Sequence, residues 1–198
     1  MKIFSAILFS ILFLSCKNDQ KQVLNRFNPS ENIKQIIKNK EAKELFDYGW
    51  DYSLNGEYEL AKTSFHKSLE IENSPLTLNE LGLIEFTTKN YTKAIECFSK
   101  AKSLDNTYWP IYINEARTYW KTSDFENAEN TLIKLKQICD SEYWIAYADF
   151  YLSVTYANSH QKCEKVYKYL EKSKTIINDP KLKVDYNKFK EFINKNCR

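Results

Sequence analysis

Residues 82–98 read GLIEFTTKNYTKAIECF, and three of them set the pattern of the whole chain: Gly82, Ala94 twelve residues on, and Phe98 four further on. The same order of small residue, alanine and large apolar residue stands at Gly49, Ala61, Phe65 and again at Ala116, Ala128, Leu132. The alanines recur at steps of 33 and 34 residues, and an aromatic stands three positions before each, at Tyr58, Tyr91 and Phe125. Self-similarity at such a period marks a repeat architecture, in which each unit buries its apolar face on its neighbours.

The spacing has a physical reading. Small residues let two helix axes approach closely, and series such as Ala61, Phe65, Ser68 or Ala94, Phe98, Ala101 place one apolar stripe along one helix face. Between the small residue and the alanine lie the turn formers Asn55-Gly56-Glu57, Lys89-Asn90 and Ser123-Asp124. Each unit therefore reads as helix, short turn, helix. The few helix breakers agree. Gly49 and Gly82 take the close-packing position and Gly56 a turn, while Pro75, Pro110 and Pro180 stand where new helices should start and Pro29 follows Asn28 as a first-turn proline follows its cap.

These residues resemble the tetratricopeptide repeat. The resemblance implies an all-α fold, a TPR-like superhelix of antiparallel helix pairs closed by a C-terminal capping helix. The helical domain is expected over 29–198, with repeats at about 42–73, 75–106 and 110–140, a degenerate repeat at 142–177 and a cap helix at 180–196. Asn28 to Lys40, with Ile33, Ile36 and Ile37 on one face, reads as an N-terminal helix, either separate or running into the next. Glu85 stands where the first and third repeats have Tyr52 and Tyr119, a departure expected to weaken the second unit slightly. In the fourth, Val166, Leu170 and Ser173 imitate the second-helix stripe, but Val166 comes 38 residues after Ala128, so an insertion near Ala157 to Lys162 is expected. The last helix carries Leu182, Tyr186, Phe189 and Ile193 on one face and lysines on the other, as a solvating cap requires.

The first residues bear on location. Met1-Lys2 followed by the apolar run Ile3 to Leu14 has the charge and length of a signal peptide and is too short for a comfortable membrane span. The run ends at Leu12-Phe13-Leu14-Ser15-Cys16, which resembles the lipobox of bacterial lipoproteins, where cleavage exposes a cysteine that is acylated on sulfur and nitrogen. That resemblance implies a signal peptide at 1–15, lipidation of Cys16 and a polar tether at 16–28. Lys17 after the cysteine resembles lipoproteins sorted to the outer membrane, facing the periplasm or the cell surface. Two or more acyl chains give stable attachment.

Composition excludes other classes. Lys and Arg number 29 against 26 Asp and Glu, which leaves no basic stripe to follow phosphates, so nucleic acid is not an expected partner. No GxSxG, HExxH or glycine-rich phosphate loop is present, and His66 and His160 lack metal-ligand spacing to cysteines or carboxylates and read as surface residues. Glu80 and Glu85 read as solvated or groove-lining acids. No cofactor, metal or catalytic group is expected, and the chain reads as a non-enzyme. Cys97, beside Phe98, reads as a small buried apolar residue. Cys163 and Cys197 lie equally far from Pro180, so an antiparallel hairpin would bring them to one end. They are either bridged or two unpaired thiols at frayed ends.

In the family that the repeats resemble, the first helix of each pair lines a concave groove. The matching positions here are Phe46, Trp50, Leu83, Phe86, Arg117, Trp120 and Tyr151. An aromatic groove with one arginine suits an apolar peptide or helix. The function this implies is a lipid-anchored scaffold or adaptor that binds a protein or peptide partner in the bacterial cell envelope. The alternative is a lipoprotein that binds a small ligand or glycan, with Trp50 and Trp120 as stacking platforms.

Overall fold

The computed structural model describes residues 37–159 and 163–197. The signal peptide, Cys16, the tether and His160 lie outside the described residues. So does the expected helix at 28–40, except for its last residues: Ile37 to Asn39 are not helical, and the first described helix starts afresh at Lys40 with the Asn39 side chain accepting from Ala42 N at 3.1 Å. The contacts divide the described chain into two compact units, 37–122 and 123–197, where the sequence reading treats 29–198 as one domain.

The first unit contains α1 (Lys40–Leu54), α2 (Tyr58–Ile71), α3 (Pro75–Thr87), α4 (Tyr91–Leu104) and α5 (Pro110–Lys121). α1 packs on α2, α3 on α4, and α4 on α5. The close approach within a pair depends on a ring seated against a glycine. A Cβ on Gly49 would stand 2.6 Å from the Phe65 ring, and one on Gly82 would stand 2.6 Å from the Phe98 ring. Both phenylalanines are fully buried.

The turns repeat as faithfully as the packing. Gly56, Lys89 and Ser123 all adopt positive φ, at 80°, 65° and 59°. Each is the left-handed residue just past a first helix. In the first two turns the following amide reaches back to the third-last residue of the helix, Glu57 N to Tyr52 O at 2.9 Å and Asn90 N to Glu85 O at 2.7 Å, the Schellman arrangement. Glycine adopts this conformation freely, whereas Lys89 and Ser123 are strained by their Cβ atoms. Pro75, Pro110 and Pro180 each open a helix. Glu72, just after α2, accepts from the amides of Lys38 at 3.0 Å and Asn39 at 2.6 Å, and these bonds hold its carboxyl below the ordinary glutamate range.

The second unit contains α6 (Phe125–Ile138), α7 (Glu142–Ser159), α8 (Cys163–Lys172), a 3-10 turn (Lys174–Asn178) and α9 (Pro180–Asn196). The extra residues before Val166 go in part into α7, which at 18 residues is longer than the first helices α1, α3 and α5; residues 160–162 lie outside the described part. Val166 and Leu170 are buried, and Ser153 Oγ donates to the Val166 carbonyl at 2.7 Å. The α9 stripe of Leu182, Tyr186, Phe189 and Ile193 is buried, with Phe189 edge-on to Phe150 of α7 at 5.9 Å. Cys163 and Cys197 form a disulfide, with their Cα atoms 5.4 Å apart, that joins the start of α8 to the end of α9.

The glycine packing sets one expected outcome. Gly82→Ala gains about 1 kcal/mol of helix propensity but drives a methyl to 2.6 Å from a fully buried ring, which costs about 1–3 kcal/mol. Urea unfolding should show a net loss, and an unchanged or raised midpoint would mean that Phe98 yields. The disulfide sets a second. It closes a loop with a sequence separation of 34, so its reduction should destabilise the chain by about 3–4 kcal/mol. Coincident urea curves with and without reductant would deny it that role.

Candidate functional site

Six of the seven residues named as groove-lining belong to the first unit, on α1, α3 and α5, and the structure sorts them into two groups. Phe46 is core: it is fully buried, with its ring 5.4 Å from that of Phe65. This corrects its expected place in an open groove. The reason is register, because Ala42, Phe46 and Gly49 form the i, i+4, i+7 stripe that α1 turns toward α2. Trp50 lies one turn on, half-buried and stacked on Phe46 at 6.3 Å.

Leu83, Phe86, Arg117 and Trp120 are also half-buried. The Arg117 guanidinium of α5 lies 5.4 Å above the Phe86 ring of α3, a cation–π contact between neighbouring first helices. Phe86 in turn meets Tyr91 at the start of α4, at 5.8 Å. Tyr151 stands in the second unit instead. There it belongs to a run of aromatics along α7: Tyr143 on Trp144 at 4.9 Å, Trp144 on Tyr147 at 5.3 Å, and Tyr147 on Tyr151 at 4.4 Å. The segment was legible as tyrosine-rich, but its ladder of ring contacts depends on helix register.

A polar chain between first helices escaped sequence reasoning. Asn114 of α5 donates through Nδ2 to Asn79 Oδ1 of α3 at 2.9 Å, and Asn79 donates to Glu80 Oε1 at 2.9 Å. All three are buried, so the expectation of a solvated Glu80 is corrected. Burial raises the Glu80 carboxyl to about 7, with the Asn79 bond acting the other way. Asn114 Oδ1 has no hydrogen-bond partner. The signal, two asparagines 35 residues apart on first helices, could have been found from the repeat register.

Glu85 is buried as well, and paired. Lys62 Nζ lies 3.2 Å from its Oε1 and Asn90 Nδ2 donates to its Oε2 at 2.8 Å. The carboxylate that replaces a tyrosine is thus satisfied by two neighbours, which corrects the solvated reading. For Lys62 burial acts downward, but its hydrogen bonds and charge contacts with Glu59 and Glu85 prevail and raise its pKa. His66 is exposed. Among the described residues no cluster of His, Cys, Asp or Glu is placed to hold a metal, and no helix is long and apolar enough to cross a membrane.

Residues 77–108, spanning most of α3 and all of α4, match the family model of the tetratricopeptide repeat. The fold is that of a tetratricopeptide-repeat protein. Solved structures agree over most of the chain. MamA from Desulfovibrio magneticus RS-1, residues 41 to the end, superposes with a TM-score of 0.68 at 19% identity, covering 79% of this chain and 85% of that one. YrrB, a TPR protein with an unusual peptide-binding site, gives 0.62 at 18% identity, over 91% of this chain and 88% of its own. A tetratricopeptide repeat protein from Parabacteroides merdae ATCC 43184 gives 0.63 at 19% identity, over 71% of this chain and 55% of its own. No curated protein sequence matches the chain.

The buried carboxyl carries a pH signature through this repeat fold. With a folded value of about 7 against 4.5 for the ordinary group, Glu80 holds its proton longer in the native state. The native state therefore loses stability as pH rises from about 4.5 to about 7, on the order of 2–3 kcal/mol. Glu80→Gln keeps the acceptor for Asn79 and removes the charge, so its stability advantage should grow from pH 5 to pH 8 in urea unfolding. Parallel pH slopes for the two proteins would show that Glu80 ionises like a surface acid.

Proposed function

We propose that this chain is a non-enzymatic, lipid-anchored adaptor that holds a protein or peptide partner in the bacterial cell envelope. Trp50, Leu83, Phe86, Arg117 and Trp120 form the contact surface, and Cys16 is the anchor. The observation that carries the reading is the Arg117–Phe86 contact between neighbouring first helices, which fixes a guanidinium beside half-buried aromatic surface. Aromatic and arginine side chains are the commonest anchors of protein interfaces.

One further observation supports it: YrrB shares the fold and has a peptide-binding site. The envelope location is supported by the apolar leader before Cys16 and by the Cys163–Cys197 bridge, because disulfides persist in exported proteins and are rare where thiols are kept reduced. Cys16 would carry acyl chains and lie beyond the polar stretch 17–28, which leaves the helical units free to meet a partner.

The test is crosslinking in intact cells, with wild type compared to Trp50→Ala/Trp120→Ala and to Cys16→Ala. An envelope protein should be recovered with the wild type and lost with the folded tryptophan double variant, and Cys16→Ala should leave the membrane fraction. Undiminished partner recovery with both tryptophans removed would exclude this surface. A Cys16→Ala protein that stays membrane-bound at unchanged mass would exclude the anchor.

A further inference from the structure

A cavity of 560 Å³ opens between α2, α3 and α4, where the second helices of the first two repeats pass over the first helix of the second. It is distinct from the surface proposed above, which stands on first helices alone, and it does not depend on that reading. Leu69, Leu78, Leu81 and Leu104 contribute its apolar lining.

The repeat pattern sets this junction apart from the others. At the following junction Lys102, eight residues past Ala94, reaches Glu115, which stands just before Ala116; the Nζ–Oε1 distance is 2.7 Å and the carboxylate is buried. The same lysine lies 5.5 Å over the Tyr112 ring. In the second unit Lys136, eight past Ala128, pairs in the same manner with buried Asp149. At the first junction the matching residues are Leu69, eight past Ala61, and Leu81, just before Gly82. Both members of the ion pair are leucines, and both line the cavity.

The charges around it are not balanced. Glu85 at the lining is already matched by Lys62 and Asn90. That leaves Glu96 against Lys93 and Lys100, all on α4 and all exposed, and among the described residues no ion pair engages either lysine. Cys97 also lines the cavity, and burial, with the charge of Glu85 second, pushes its thiol up to about 11, so it is a neutral, weakly polar wall. A cavity of this size with leucine walls and a few cationic groups at its edge has the character of a small-ligand site.

We propose that this cavity binds a free medium-chain carboxylate, its alkyl chain against Leu69, Leu78 and Leu81 and its head group at Lys93 and Lys100. The test titrates sodium decanoate, below its micelle-forming range, into the oxidised full-length chain and follows binding by calorimetry. Wild type should bind one equivalent. Lys93→Gln/Lys100→Gln should weaken binding about fivefold or more, since it removes the charge-assisted contacts. Leu69→Lys/Leu81→Glu, which installs the ion pair of the next junction, should abolish it. Circular dichroism melts establish which variants are folded, and the surface lysine pair carries the test if the core pair unfolds. Absence of saturable binding by the wild type, undiminished binding by the lysine variant, or equal affinity for decanol would overturn the proposal.

Discussion

Everything in the first unit depends on how closely two helices approach where a phenylalanine ring lies against a glycine. The ring of Phe65 occupies the space of a Cβ at Gly49, and Phe98 does the same at Gly82. Glycine in a helix costs about 1 kcal/mol relative to alanine. The chain accepts that cost twice, at one register position, because a buried phenylalanine contributes more than the helix loses. Other pair contacts follow from the resulting depth. Ser68 Oγ can reach the Ala42 carbonyl at 2.8 Å only because α1 and α2 are this close.

Once the pairs are set, the junctions between them differ in chemistry. Lys102 with Glu115 and Lys136 with Asp149 place a buried carboxylate opposite a lysine whose stem covers apolar surface while its head group pairs. Such a pair adds little net stability, since desolvation offsets attraction, but a carboxylate buried at one register rejects every neighbour that cannot supply a cation. The first junction uses leucines at the same positions and a different pair, Lys62 two turns before Leu69 with Glu85 one turn past Leu81. The first junction thus differs in chemistry from the other two, which disfavours exchanging it for either of them.

What was legible in the chain was whatever local spacing determines. Gly49, Gly82, the three prolines that open helices and the turn residues each act within a few residues of themselves, so their positions could be read directly. Lys89 and Ser123 are instructive because the repeat register alone places them at the left-handed turn position; nothing in their own chemistry favours it. The environments of Phe46, Glu80 and Glu85 could not be read this way. A first-helix residue faces either the partner helix or the groove depending on rotations of about 100° per position, and whether an acid there is solvated depends on distant residues, as Glu85 does on Lys62.

The candidate surface shows the same division between register and environment. Repeat register placed Phe86 and Arg117 on adjacent first helices, but their cation–π contact depends on how α3 and α5 are set side by side. That contact has a consequence for binding. An arginine held over a ring loses less conformational freedom when a partner arrives, so more of its interaction energy remains for recognition. The buried Asn79–Asn114 amide bond acts on the same two helices, and a buried side-chain bond 35 residues apart in sequence ties them in one relative setting. Fold and surface are therefore coupled through α3 and α5: the interactions that hold these first helices in register also preorganise the residues best suited to meet a partner.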